Sequence, residues 1–154
     1  MNKEDFHIYR RRLPHWRLKG ATYFVTWRIK PGSTVLVPNE RSEVCNALKH
    51  FDQSRYDLFA YVIMDDHVHV IVRPFENWAL ENLVHSWKSF TANRLQRLNF
   101  RKGQVWQDEY FDRIIRDEDE FLEKAQYIFN NPWKHWHDIN EYVWMYFNFD
   151  LLAK

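Results

Sequence analysis

Hydrophobic positions along this chain switch between a period of two and a period near 3.6, and the switches mark out its elements. The run "ATYFVTWRI" (21–29) concentrates β-branched and aromatic residues and predicts a strand, which "PGST" then breaks. "NERSEVCNALKHFDQ" (39–53) predicts a helix with Asn39 as its N-cap and Val44, Leu48 and Phe51 on one face. "DLFAYVIM" (57–64) and "HVHVIVR" (67–73) predict two strands joined at Asp65-Asp66, hence a hairpin. "NWALENLVHSWKSFTANRLQRLNF" (77–100) predicts a long helix, with Leu80, Leu83, Val84, Trp87, Phe90 and Leu98 at helical spacing. Residues 104–116, "QVWQDEYFDRIIR", predict a further, irregular strand. In "DEDEFLEKAQYIFNNP" (117–132), Asp117 and Glu120 form a capping-box pattern, and Pro132 is expected to end the helix. The order β-α-β-β-α-β-α predicts an α+β fold, and its first six elements match a ferredoxin-like (RRM-like) antiparallel sheet with helices.

The chain's 154 residues suit a single domain with a real core, and 45% hydrophobic with 28% charged residues excludes a disordered chain. A single cysteine, Cys45, excludes an internal disulfide framework and suits a reducing cytoplasm. No apolar run approaches the ~18 residues of a membrane helix, and "MNKEDF" does not resemble an export signal. Net charge is only +1, but its distribution is uneven. Residues 6–39 and 82–107 carry 12 of the 22 basic groups and none of the 21 acids. Such segregation leaves two readings open: a positive surface on a nearly neutral protein, the footprint expected for nucleic acid, or two solvated basic faces. Trp16, amid "RRRLPHWRLK", is placed to stack on a base.

Two histidines interrupt the second hairpin strand. Alternation puts His67 and His69 on one face, about 7 Å apart along the backbone, and Val68 and Val70 on the other. Two such imidazoles can converge on a metal ion, yet H-x-H alone is a weak signal and leaves ordinary packing histidines open. A second pair, His135 and His137, has no strand pattern around it and is expected on the surface or in packing. In the last helix Phe121, Leu122, Ala125, Ile128 and Phe129 span one arc facing the core. Tyr127 and Asn131 share a side well away from that arc, with Lys124 beside them. Spacing leaves two readings of that side: a reactive tyrosine with an amide ligand, or a half-exposed tyrosine before an Asn-Pro helix stop.

Together, His-Val-His on a strand, "VWQDEYFDRIIRDEDE" after it and "YIFNNP" on a later helix resemble the REP-associated tyrosine transposases. These are solitary bacterial relatives of the single-tyrosine HUH transposases. "RRRLPHWRLKGATYFVTWRI" and "HSWKSFTANRL" resemble the same family in the same order, so the likeness runs from about residue 10 to about 135. It implies one HUH domain over 1–154, with a basic arm (about 1–20), HUH on a central strand and the nucleophile on a C-terminal helix. By position it makes His67, His69 and Asn131 ligands of a divalent metal (Mg²⁺ or Mn²⁺) and Tyr127 the nucleophile that cuts single-stranded DNA. Lys124 is a candidate to assist Tyr127. The implied partners are single-stranded DNA and hairpins of repetitive extragenic palindromes, met in the cytoplasm at the nucleoid by a monomer or homodimer. Arg10, Arg11, Arg12, Arg17, Lys88, Arg94 and Arg97 suit contacts to a hairpin backbone.

Two departures stand out: Asp65-Asp66 replaces the family's usual Pro-Asn before the first histidine, and "WKHWHD" follows the Asn-Pro pair. The aromatic tail (about 138–154) has no evident role. A hairpin-binding member that does not cut is the main alternative. An RRM-like RNA-binding module fits less well, because His67 and His69 stand where its aromatics belong. A two-histidine phosphoesterase would need two H-x-[ST] motifs, and the chain has none.

Overall fold

Four of the predicted strands pair into one antiparallel sheet, and a fifth, unforeseen strand extends it. A computed structural model describes residues 1–6 and 20–149. In chain order the named elements are β1 (Thr22–Arg28), α1 (Pro38–His50), β2 (Tyr56–Ile63), β3 (His67–Pro74), α2 (Leu80–Asn99), β4 (Phe111–Ile115), α3 (Glu118–His135) and β5 (Met145–Phe147). The strand order is β4-β1-β3-β2-β5, so the expected ferredoxin-like arrangement holds, with β5 added at the β2 edge.

Side-chain alternation separates the two faces. Val68, Val70 and Val72 of β3 join Val25 and Trp27 of β1 beneath α1 and α2, where Val44, Leu48, Leu83, Val84 and Trp87 complete one core. On the other face Phe24, Phe59, Val62 and Ile71 pack with Phe121, Ala125, Ile128 and Phe129 of α3. The buried arc of α3 is thus the predicted one. Half of the expected capping box forms: the Asp117 carboxylate accepts the Glu120 N–H at 2.8 Å, while the Glu120 carboxylate accepts from Arg113 at 2.6 Å instead of from the Asp117 N–H.

Several local expectations are overturned by packing. The N-cap of α1 is Val37, with Pro38 in the first turn where its missing N–H costs nothing; Asn39 lies inside the helix. Phe90 and Leu98 of α2 face solvent, while Thr91 and Leu95 take the buried positions. Regular pairing over 104–116 is confined to β4, and Trp106 upstream makes an isolated bridge to Ile29. Pro132 does not end α3, which continues to His135. The extra turn buries Pro132 and Trp133, stacks Trp133 on Phe129 at 5.1 Å and directs the Trp133 indole N–H to the Ile139 carbonyl at 3.0 Å. That burial outweighs the local preference against helix before proline.

The aromatic tail acquires a structural role as far as residue 149. The Tyr142 hydroxyl donates to the Ile63 carbonyl at 2.5 Å, Tyr146 stacks on Tyr61, and Phe147 packs in the α3-side core with Phe6. Among the described residues no helix is long and apolar enough to cross a membrane.

Candidate active site

One rung crosses all five strands, running Phe111, Thr26, His69, Val62 and Met145. Residues paired across an antiparallel sheet point to the same face, so this rung lies on the side covered by α3. His69 is 3% exposed, and its Nδ1 lies 2.7 Å from the Thr26 hydroxyl. Its Nε2 is buried and has no hydrogen-bond partner. His67 stands two residues before it, ring centroids 4.7 Å apart. The Asp66 carboxylate meets His67 Nδ1 at 2.6 Å, and Asn131 Oδ1 lies 3.2 Å from His67 Nε2. Asn131 is held in turn by donating its amide N–H to the Tyr127 carbonyl at 2.8 Å. The departure from Pro-Asn therefore places a carboxylate directly behind His67. A carboxylate–imidazole pair of this kind fixes the tautomer and turns the far nitrogen outward.

Both Nδ1 atoms are thus engaged, so the two Nε2 atoms and the Asn131 amide oxygen face the site: His67 Nε2 and Asn131 Oδ1 meet each other, and His69 Nε2 has no partner. A buried imidazole nitrogen without a partner is costly. The 3.2 Å between His67 Nε2 and Asn131 Oδ1 matches adjacent ligands in an octahedral shell of ~2.0–2.1 Å bonds, which lie about 3 Å apart. This set fits a divalent cation of the Mn²⁺ or Mg²⁺ type, Mn²⁺ tolerating imidazole better. Among the described residues no group of three or more His, Cys, Asp or Glu side chains is arranged for a metal, so the third protein ligand here would be the amide.

Tyr127 closes one side of the site. Its ring meets His69 edge-on at 5.1 Å and Phe24 at 6.0 Å, yet 44% of the residue stays exposed. The ring borders a cleft of about 310 Å³, also lined by Arg28, Phe111 and Lys124. The Lys124 ammonium lies 5.3 Å from the Phe24 ring and 3.7 Å from the Glu123 carboxylate.

Burial pushes the His69 imidazole down to about 2 from its ordinary 6.5, with His67, Arg28 and Lys124 adding like charge. In metal-free protein the folded state therefore keeps His69 neutral while the unfolded chain takes up its proton below 6.5. Unfolded chains then bind more protons, so this contribution to stability is complete above 6.5 and is lost as pH falls towards 2. The loss approaches ~1.4 kcal/mol per pH unit. Urea titrations in EDTA across this range are expected to show a steeper decline for the wild type than for His69→Gln; parallel curves would mean that His69 is not held neutral.

The family "Transposase IS200 like" matches residues 18–131, which hold His67, His69, Lys124, Tyr127 and Asn131. The chain belongs to the IS200-like transposase family. Within it, this transposase is 21% identical over 123 residues to the REP-associated tyrosine transposase of Escherichia coli K12, covering 77% of this chain and 70% of that protein. A Haemophilus influenzae protein provisionally given the same name is 26% identical over 134 residues, covering 76% and 73%. The expected resemblance is borne out, and with it the assignment to an enzyme family. In fold the transposase matches a REP-associated tyrosine transposase solved with a REP hairpin (TM-score 0.65, 20% identity, 79% of this chain and 72% of that one). It also matches a Deinococcus radiodurans protein solved as a provisional transposase (TM-score 0.53, 19% identity, 74% and 92%).

Not every residue predicted for the transposase comes together. His67, His69, Asn131, Tyr127 and Lys124 do. Lys88, Arg94 and Arg97 sit on α2, whose buried side packs on the opposite face of the sheet. Lys88 donates to the carbonyls of Gln107 and Asp108 at 2.6 and 2.9 Å, and Arg94 is paired with Glu43 at 3.0 Å. Arg97 is exposed. Arg10, Arg11, Arg12, Trp16 and Arg17 lie outside the described residues. His135 ends α3 half exposed, 3.4 Å from Asp65, and His137 is exposed, as expected of a pair outside the site. Sequence reasoning missed Thr26, Arg28 and Phe111. The strand period puts Thr26 and Arg28 on one face, but nothing local says that this face meets His69.

Proposed function

We propose that this chain is a metal-dependent endonuclease and strand transferase of single-stranded DNA, acting on hairpins of repetitive extragenic palindromes. What supports the reading most is the meeting of His67, His69 and Asn131 beside a half-exposed Tyr127. A fold neighbour solved with a REP hairpin supports the substrate class. A divalent cation held by His67, His69 and Asn131 supplies Lewis-acid polarisation of the scissile phosphate.

The chain's own residues do the rest. Asp66 and Thr26 hold the two imidazoles so that each turns its Nε2 to the site. The Tyr127 oxygen attacks phosphorus; an O–P bond forms, the bond from phosphorus to the 3′ oxygen breaks, that oxygen takes a proton from water, and a 5′-phosphotyrosine and a free 3′-OH result. Lys124 and Arg28 bring positive charge to the same cleft, which stabilises the phenolate oxygen as its proton leaves for water. A later 3′-OH reverses the step without ATP, because the covalent link conserves the phosphodiester's energy. The substrate places the protein at the nucleoid.

The test combines the protein, Mn²⁺ and labelled hairpin oligonucleotides with single-stranded flanks. A covalent protein–DNA band on a denaturing gel that EDTA removes is the expected result. Non-covalent binding should weaken by roughly 10²-fold or more between 50 and 200 mM salt, about what several phosphate contacts give. Salt-sensitive binding without an adduct across many such hairpins would make the chain a hairpin-binding protein that does not cut.

A further inference from the structure

The cleft beside Tyr127 has an aromatic wall that the chemistry above leaves unused. Phe111 opens β4, the strand at one end of the sheet order. It pairs with Thr26, whose hydroxyl reaches His69, so the Phe111 ring rises from the same face as the candidate metal ligands. It remains 58% exposed although it lines the cleft with Tyr127. A lone exposed phenylalanine is ordinary. This one stands at the mouth of a cleft of about 310 Å³ whose other groups include two cations, Arg28 and Lys124. An open ring face in a cleft shared with two positive charges is the chemistry that takes an unpaired nucleotide, the base on the ring and the phosphates on the cations. An apolar peptide would leave the two cations unpaired, and a bare phosphate would leave the ring in water.

We infer that Phe111 is the stacking platform for an unpaired base next to the scissile phosphate, with Arg28 and Lys124 holding the phosphates on either side of it. This rests on the single-strand nuclease reading and adds a subsite to it. Stacking is indifferent to base identity, so the subsite fixes the position of the strand relative to Tyr127 rather than its sequence. The position also follows from the sheet: β1 is the one strand that β4 pairs with among the described residues, so a strand entering from that side meets no further sheet backbone.

The experiment is a cycle between protein and DNA. Binding of a labelled hairpin with a single-stranded flank is measured by fluorescence anisotropy in EDTA, using wild type, Phe111→Ala and Phe111→Trp. Each oligonucleotide carries one abasic site, stepped along the flank. Wild type should lose roughly 5- to 150-fold in affinity at one position. Phe111→Ala should lose about as much on intact DNA and then become insensitive to the abasic site at that position. Phe111→Trp should keep wild-type affinity and sensitivity, which separates stacking from misfolding. If Phe111→Ala binds like wild type, or its loss adds in full to that of every abasic site, the inference is overturned while the nuclease reading stands. If wild type binds no hairpin at all, both fall.

Discussion

Tyr127→Phe is expected to abolish the covalent protein–DNA adduct while hairpin binding and stability stay at wild-type levels. The substitution removes one oxygen from a residue that is 44% exposed and keeps the ring against Phe24 and His69. Surface changes that spare packing fall within about 0.5 kcal/mol. Chemistry is affected very differently, because loss of a nucleophile typically costs 10⁴-fold or more. A denaturing gel with Mn²⁺ and a hairpin substrate reads the adduct, and thermal unfolding of the same sample reads the fold. An undiminished adduct would move the nucleophile to another residue and remove the basis for assigning Tyr127.

The largest effect on stability is expected far from that site, at Arg101. Glu40, in the first turn of α1, is 1% exposed and meets the Arg101 guanidinium at 2.5 and 2.8 Å. Burial alone would raise the Glu40 carboxyl, but the Arg101 contact and the Val37 N–H bond bring it below its ordinary value. Arg101 also donates to the carbonyls of Thr34 and Val35, closing the loop that leads into α1. Arg101→Ala strands a buried carboxylate, which costs about 3–5 kcal/mol. That is a large share of the 5–15 kcal/mol typical of a domain. Arg101→Lys should recover only part, since an ammonium cannot reproduce the two-pronged contact. A Glu40→Leu/Arg101→Leu pair should recover most of it. Urea denaturation measures all three, and a loss under ~1 kcal/mol for Arg101→Ala would class the pair with solvent-screened surface bridges.

Arg101 also shows where charge counting reaches its end. Residues 82–107 read as a basic stretch suited to DNA, yet Lys88, Arg94 and Arg101 are spent on Gln107 and Asp108, Glu43 and Glu40. Apart from Gln107 these partners lie outside that stretch, and the two paired acids, Glu40 and Glu43, belong to α1, so no window of sequence reveals the pairing.

What the sequence by itself determined is what short-range physics controls. Alternation on β3 put His67 and His69 on one face and the valines on the other, and helical period set Tyr127 apart from the buried arc of α3. Steric rules of period two and 3.6 act within a few residues, which is why these features were legible. The tertiary structure decided the rest. It carried α3 past Pro132 because buried Trp133 outweighs a local preference, and it turned three aromatic-rich tail residues into β5 because the β2 edge was there to receive them. It also set Asn131 against His67 and Thr26 against His69, across 64 and 43 residues of chain. Contacts at such separations depend on strand register and helix docking, which are settled by the packing of the whole core rather than by any segment of it.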